Sequence, residues 1–371
     1  MIDTTIVHYW LNGMRGGEKV VESIIDIFPK SKIITNIYSE KNISEKISKR
    51  SVKTTFINNL PNARKLYQYY LPLYPLALKM IHIDSGELVI SSESGPAKGI
   101  NVSNHIPHIC YTHTPMRYIW DMQKDYFGTG IKRKFIQPII NYLQTWDYNT
   151  AQKVDYIIAN SHYVKGRIKK VWNRNSIVIH PPVETKNITI NNNVEDHYLL
   201  FGEHVKYKNS ELAIEAFNDN GKKLIVMGGG EQGPYLKSMA KDNISILGRV
   251  NEETKRKYIS TCRALIFPGI EDFGIIPVEA MAYGRPVIAF KEGGATETVN
   301  ESISGLFFNN QTVRSLNGTI NHFEKIENQF ISENIQNYSH RFDKSVFQQK
   351  FKDYVNSCIE DFKKTDVSKR R

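Results

Sequence analysis

Short apolar runs separated by stretches of helical length recur along the whole 371-residue chain, and this alternation limits the fold more than any single motif. In the first half the runs fall at residues 33–37, 87–90, 108–111 and 156–159. In the second half they fall at 198–201, 223–227, 264–267 and 286–290, with helix-length segments such as 210–217 between them. Strand and helix in strict alternation predict an α/β fold built on parallel sheets. The alternation breaks at Pro181-Pro182, where two prolines stop regular structure, and the Asn-rich stretch 186–195 reads as a linker. This places one α/β domain at 1–182 and a second at 183–340. Residues 341–371 read as a C-terminal helix, because Phe342, Val346, Phe347, Phe351, Tyr354 and Val355 recur at helical spacing. The helix is followed by a frayed basic tail ending Lys369-Arg370-Arg371.

Composition excludes several classes. Apolar residues make up 40% and charged residues 23%, which is ordinary for a globular chain and argues against disorder or collagen-like structure. The net charge of +11 favours anionic partners, but no nucleic-acid-binding module accompanies it, so nucleic acid is set aside. Cys110, Cys262 and Cys358 lie far apart without CxxC spacing, which suggests neither zinc nor a disulfide framework and fits a reducing, cytoplasmic compartment. The first residues run directly into a strand-like pattern at Thr5–Trp10, without a basic-then-apolar signal. No run approaches the ~20 apolar residues of a spanning helix. The nearest, 66–81, contains Pro72, Pro75 and Lys79 and follows Arg64-Lys65. Aromatic and basic residues side by side suit peripheral contact with an anionic membrane. A proline-broken helix packed on the core is the favoured reading of its inner face, with the basic end left to meet lipid phosphate.

The chemistry is concentrated in 263–290. An apolar strand ends at Pro268-Gly269, and a loop follows from Ile270 to Ile276. Pro277 suits the first position of a helix, Gly284 suits its end, and Pro286 prevents its continuation. Ligands bind at the carboxyl ends of parallel strands, and a helix start offers free N–H groups and a positive dipole end for phosphate. Glu271 lies in the loop, and Glu279 is expected in the first turn of the helix. A first-turn Glu alone is more often a dipole partner, but two carboxylates around a Gly-containing turn point to hydroxyl recognition.

This segment resembles the signature of retaining glycosyltransferase family 4. The resemblance rests on Glu271 and Glu279 at Glu-x7-Glu spacing, with Phe273-Gly274-Ile275 between them. It runs through nearly the whole chain, from Gly16 to the final helix, and is similar to a branch containing mannosyltransferases of bacterial polysaccharide and O-antigen assembly. It implies a GT-B fold: two Rossmann-like domains facing across a cleft, with the C-terminal helix crossing back to the N-terminal domain. It further implies that Glu271 contacts the hydroxyls of the transferred sugar, that the backbone of Phe273, Gly274 and Ile275 lines that sugar, and that Glu279 contacts the ribose. Gly293-Gly294 resemble the family's glycine turn, where the backbone comes close to a ligand. Gly16-Gly17, opening a helix after the first strand, match the turn that faces donor phosphates and acceptor. His113 stands where the family's histidine reaches the transferred sugar; Arg117 and Asp121 match the same stretch without an assigned role. Lys208 stands at the position of the lysine that neutralises the donor diphosphate.

One position departs from the pattern. Glu203 occupies the usual arginine position, and a carboxylate facing a diphosphate repels it. Lys206, His204 or Arg249 could supply the missing charge, Glu203 could turn away, or the chain could be an inactive nucleotide-sugar-binding relative. A NAD(P)-dependent oxidoreductase is suggested by Gly228-Gly229-Gly230-Glu231-Gln232-Gly233, but the acidic residue expected about 20 positions on is absent at Gly248-Arg249-Val250. The resemblance implies a hexosyltransferase taking mannose from GDP-mannose, a nucleotide sugar donor, without metal or cofactor. A lipid-linked or saccharide acceptor is expected at the inner face of a membrane.

Overall fold

The computed structural model describes residues 2–128 and 131–369, so Arg370-Arg371 of the basic tail lie outside the described residues. The chain divides into two compact units: one runs to Pro182 and resumes at Ser345, and the other is Val183–Lys344.

Among the described residues the first unit carries nine strands: β1 Thr4–His8, β2 Lys32–Thr35, β3 Val52–Thr54, β4 His82–Ile83, β5 Leu88–Glu93, β6 Asn101–Val102, β7 His108–Thr112, β8 Tyr156–Ala159 and β9 Ile177–Val178. Seven form one sheet in the order β3-β2-β1-β5-β7-β8-β9, while β4 and β6 pair separately. Every pairing is parallel. β1 and β7 are buried throughout, as helix-covered parallel strands must be. The helix Gly16–Ile27 lays Val20, Val21, Ile24 and Ile25 onto Ile33 and Ile90. Sequence order reverses between β1 and β5, so the chain leaves those two neighbours in opposite directions and opens a crevice at their carboxyl ends.

The second unit repeats the scheme with β10 Tyr198–Phe201, β11 Leu224–Met227, β12 Ile244–Gly248, β13 Leu265–Phe267, β14 Val287–Phe290 and β15 Gly305–Phe308. These pair in parallel in the order β12-β11-β10-β13-β14-β15, which is the doubly wound arrangement with its switch point between β10 and β13. Two apolar clusters cover the sheet: one around Phe217, Phe308 and Phe323, the other around Phe267, Met281 and Phe342.

The helical series at the chain end splits between the units. The helix Lys344–Lys369 carries Phe347, Phe351, Val355 and Cys358 into the core of the first unit. Phe342 does not join them. It precedes this helix on the turn His340–Phe342 and packs on Phe273 in the second unit, ring centroids 5.6 Å apart. Helical spacing reports a common face only within one helix, and here Asp343 ends one element before the next begins. The 66–81 segment is a chain of short pieces, Ala63–Leu66, Leu71–Leu73 and Tyr74–Lys79, with Tyr74, Ala77 and Leu78 turned inward.

Phe351 is fully buried and stacks on Phe347, with Tyr111 close by. Phe351→Ala should therefore loosen the attachment of the last helix and destabilise the first unit by about 3–5 kcal/mol. Denaturant unfolding followed by circular dichroism should show one transition moved to lower denaturant.

Candidate active site

The carboxyl ends of β10, β13 and β14 assemble the charged cluster of the second unit. After β13 the chain passes Pro268-Gly269, turns through Glu271, and enters the helix Ile275–Ala282 at Gly274, whose φ is 89°. The helix begins earlier than the proline suggests. Pro277 is its third residue, and Glu279 is its fifth, in the second turn rather than the first. A proline is tolerated there because N–H groups in the first turn have no intrahelical acceptor. By the same rule Gly274, Ile275 and Ile276 present N–H groups at the positive end of the helix dipole.

Lys208 follows β10 on the turn Lys206–Lys208, and its Nζ lies 2.9 Å from Glu271 Oε1. Both side chains are about one-fifth exposed, so the pair is half-desolvated yet reachable. Gly202, Lys208, Gly269 and Glu271 line one small hollow at the switch point. A larger hollow, lined by Asn310, Arg314 and His322, lies between β15 and the helix Val313–Ile326 and contains none of these groups. Glu279 is bound by Lys255, Nζ to Oε2 3.2 Å, a partner the sequence did not reveal.

The structure adds to three of these readings. The protein's own backbone already requires glycine at 293 and 294. A Cβ at 294 would lie 2.3 Å from Phe273 Cα, and one at 293 would lie 2.6 Å from the Glu271 carbonyl oxygen. The Gly294 N–H donates to that carbonyl at 2.8 Å, so the turn after β14 clamps the Glu271 loop. Phe273 buries its ring against Phe342 and leaves only backbone for a ligand. His204 cannot supply positive charge: it is buried, burial lowers its pKa, and its ring nitrogens sit 2.9 Å from Ser210 Oγ and 3.2 Å from the Met227 carbonyl. Arg249 instead faces Glu203, Nη2 to Oε1 3.9 Å, and Lys206 is exposed.

In the first unit the polar groups collect at the ends of β1, β5 and β7. His113 donates its backbone N–H to the Glu93 carbonyl, and its Nε2 lies 2.8 Å from Ser92 Oγ. Burial, and then the nearby His8, push its pKa down to about 3, so the ring is neutral at pH 7. Gly16 opens the helix Gly16–Ile27, and a Cβ on Gly17 would meet the Tyr9 hydroxyl at 2.6 Å. Glu18 accepts from the Arg15 N–H and lies 3.7 Å from His8 Nε2. His8 and Glu18 were not singled out in the sequence, because only the fold brings the end of β1 beside the start of the helix Gly16–Ile27.

The 113–121 loop is pinned by one ion pair and by an indole N–H that donates to a buried carboxylate. Arg167 Nε donates to Asp121 at 2.8 Å, which gives Asp121 a structural partner. Behind the loop, Lys98 lies fully buried between Glu93 and Asp147, and Asp147 Oδ2 accepts the indole N–H of Trp120 at 2.8 Å and of Trp172 at 2.6 Å. Burial raises the Glu93 pKa to about 7 despite Lys98. Burial alone would lower Lys98, but Asp147 and Glu93 outweigh it, and the ammonium persists.

Residues 184–342 match the family model for Glycosyl transferases group 1. The match lies within the second unit and contains Lys208, Glu271 and Glu279. Over 305 residues the chain is 26% identical to the uncharacterized glycosyltransferase MJ1178 of Methanocaldococcus jannaschii, covering 78% of this chain and 81% of the relative. It is 28% identical over 201 residues to the alpha-1,3/1,6-mannosyltransferase ALG2 of Candida glabrata, covering 39% of this chain and 44% of that relative. The chain thus spans less than half of ALG2. The crystal structure of Anabaena HepE in complex with UDP and glucose superimposes with a TM-score of 0.71 at 17% identity, covering 96% of this chain and all of that one. The fold is GT-B, with two Rossmann-like sheets.

His108, next to the buried lysine, is held neutral: burial and then Lys98 lower its pKa from 6.5 to about 4. The stability this gives is present above pH 6.5 and is lost as pH falls towards 4. Wild type should therefore lose stability between pH 6.5 and 4.5 more steeply than His108→Gln. The difference in slope should approach ~1.4 kcal/mol per pH unit in denaturant titrations.

Proposed function

We propose that the chain is a retaining hexosyltransferase that takes mannose from GDP-mannose and places it on a saccharide or lipid-linked acceptor of polysaccharide or O-antigen assembly. The observation that carries this reading is the Lys208–Glu271 pair at the switch point of the second unit, beside the N–H groups of Gly274, Ile275 and Ile276. Cleaving a sugar–diphosphate bond builds negative charge on the leaving phosphate. A lysine and a helix N-terminus fixed beforehand stabilise that charge where it develops.

Glu271 neutralises Lys208. A donor diphosphate takes over the ammonium, and Glu271 is released to accept hydrogen bonds from hydroxyls of the transferred sugar. Glu279, steadied by Lys255, accepts from the ribose. His113, in the first unit, offers hydrogen bonding from a neutral ring rather than charge. The acceptor hydroxyl attacks on the face the leaving group departs from, and the leaving phosphate takes its proton. Arg249 and Lys206, the exposed cations of the two neighbouring loops, can add to the neutralisation.

Mannose is favoured by relatives named mannosyltransferases, whereas the solved HepE complex holds UDP and glucose. The base and the sugar are therefore tested together. Purified protein is offered GDP-mannose, UDP-glucose and other nucleotide sugars, and donor binding and slow hydrolysis are measured. GDP-mannose should be turned over, with and without EDTA. Lys208→Ala should lower kcat by about 100–1,000-fold, and Glu271→Ala should lower it comparably. Turnover that survives Glu271→Ala removes that residue from the mechanism. Donor binding that appears only after Glu203→Arg makes the chain an inactive relative.

A further inference from the structure

We propose that the first unit docks on an anionic lipid surface through two neighbouring segments, 64–80 and 134–142, whose apolar side chains point to solvent among basic ones. The observation is one of distribution. Most of the exposed large apolar side chains among the described residues lie in the first unit, and most of those lie in or beside these two segments; the second unit has four, Val194, Tyr235, Leu247 and Ile331, far apart in sequence. In the first segment Leu73, Leu76 and Met80 follow helical spacing on the face opposite Tyr74, Ala77 and Leu78, and Tyr69 is 80% exposed just ahead of them. In the second, the helix Ile131–Lys153 buries Ile140 and Leu143 but leaves Phe135, Ile139 and Tyr142 outside at i, i+4 and i+7, with Phe135 79% exposed. That helix has a second apolar stripe which the core does not use.

The two segments share one foundation. Leu71 packs on the cluster of Met116, Ile119, Ile140 and Leu143, so the pieces that carry the two outer stripes rest on the same core. The sequence had indicated only the first stripe; the helix stripe emerges from which face the structure buries.

Charge selects the occupant. Residues 46–83 contain no Asp or Glu, and neither do residues 126–146. Arg64, Lys65, Lys79 and Lys134 are exposed beside the apolar side chains. A second copy of this chain would bring like charges together, which is unfavourable. A bilayer with anionic headgroups offers both what the aromatic and aliphatic side chains need and what the cations need. No helix among the described residues is long and apolar enough to cross a membrane, so the contact is interfacial. This assignment stands on surface composition and does not depend on the donor.

The test is co-sedimentation of the full chain with vesicles of phosphatidylcholine alone or with about 30% phosphatidylglycerol. Wild type should pellet with the anionic vesicles and be released by about 0.5 M salt. The exposed double variants Leu76→Ser/Phe135→Ser and Lys65→Glu/Lys79→Glu should each bind about tenfold less, with unchanged thermal melting and unchanged hydrolysis of the water-soluble donor. Loss of vesicle binding with donor turnover intact separates this inference from the functional reading. Absence of wild-type binding, or variants that bind as wild type, overturns it. So does a wild-type dimer that Leu76→Ser/Phe135→Ser converts to monomer without any vesicle binding, which would assign the surface to a second copy.

Discussion

Close approach of backbone to backbone is the constraint on which the second unit's site depends. The loop after β13 is pressed between the loops after β10 and β14. At position 269 an added Cβ would stand 2.6 Å from Lys208 Cα, and at 294 it would stand 2.3 Å from Phe273 Cα. Real Cβ atoms do not tolerate such contacts, so glycine at these two places sets the spacing of three loops. The 2.9 Å separation of Lys208 and Glu271 follows from that spacing. Neither side chain has to be fixed by a second set of polar neighbours, because the peptide planes beneath them already fix where each side chain starts. A site built this way loses little entropy on binding, which is what preorganised charge requires.

The two units handle charge differently. In the second, Lys208–Glu271 and Lys255–Glu279 keep 15–21% of their side-chain surface, so water still screens them and either partner can change hands. In the first, Glu93, Lys98 and Asp147 have none. Buried ions are held only by each other, and removing one strands the rest. The triad therefore serves architecture: through Trp120 and the Glu93 backbone it fixes the loop that bears His113. Around it burial keeps His108 and His113 neutral. One unit presents exchangeable charge, and the other presents uncharged hydrogen-bonding groups on a rigid charged base.

What could be read from the sequence was local. Tyr156–Ala159 and Tyr198–Phe201 are strands with the ends their apolar runs suggested, because a buried parallel strand is an unbroken apolar word. The strand–loop–helix order around Glu271 was equally legible, since glycine and proline punctuate it. The helix start was misread by two residues, because the left-handed Gly274 begins the helix and Pro277 only permits it. Gly293-Gly294 were noticed for close approach to a ligand, and the structure shows close approach to the protein's own backbone, which leaves the same trace in sequence. Phe342 was joined to a helix of the other unit, since periodicity does not see a domain boundary. Lys255 and the Lys98 triad were not legible: Lys98 and Asp147 are 49 residues apart, and only the fold brings them together.

Glu203 is the position where pattern and chemistry seemed to conflict, and its surroundings resolve the conflict in part. Its carboxylate faces Arg249 at 3.9 Å, and the Arg249 side chain is 79% exposed. A pair this open to water contributes only ~0–1 kcal/mol. The arginine therefore stays near the ends of β10 and β12 while remaining free to exchange one anion for another at small cost. The neighbouring residue cannot compete for this role, because His204 is buried and neutral. An arginine supplied from the loop after β12, rather than from the loop after β10, puts positive charge beside the same switch point by a different strand. For a phosphate, which recognises charge and N–H groups rather than the strand that delivers them, the two arrangements are chemically alike. In this structure Glu203 is therefore paired with an exposed arginine rather than standing as a lone repulsive charge.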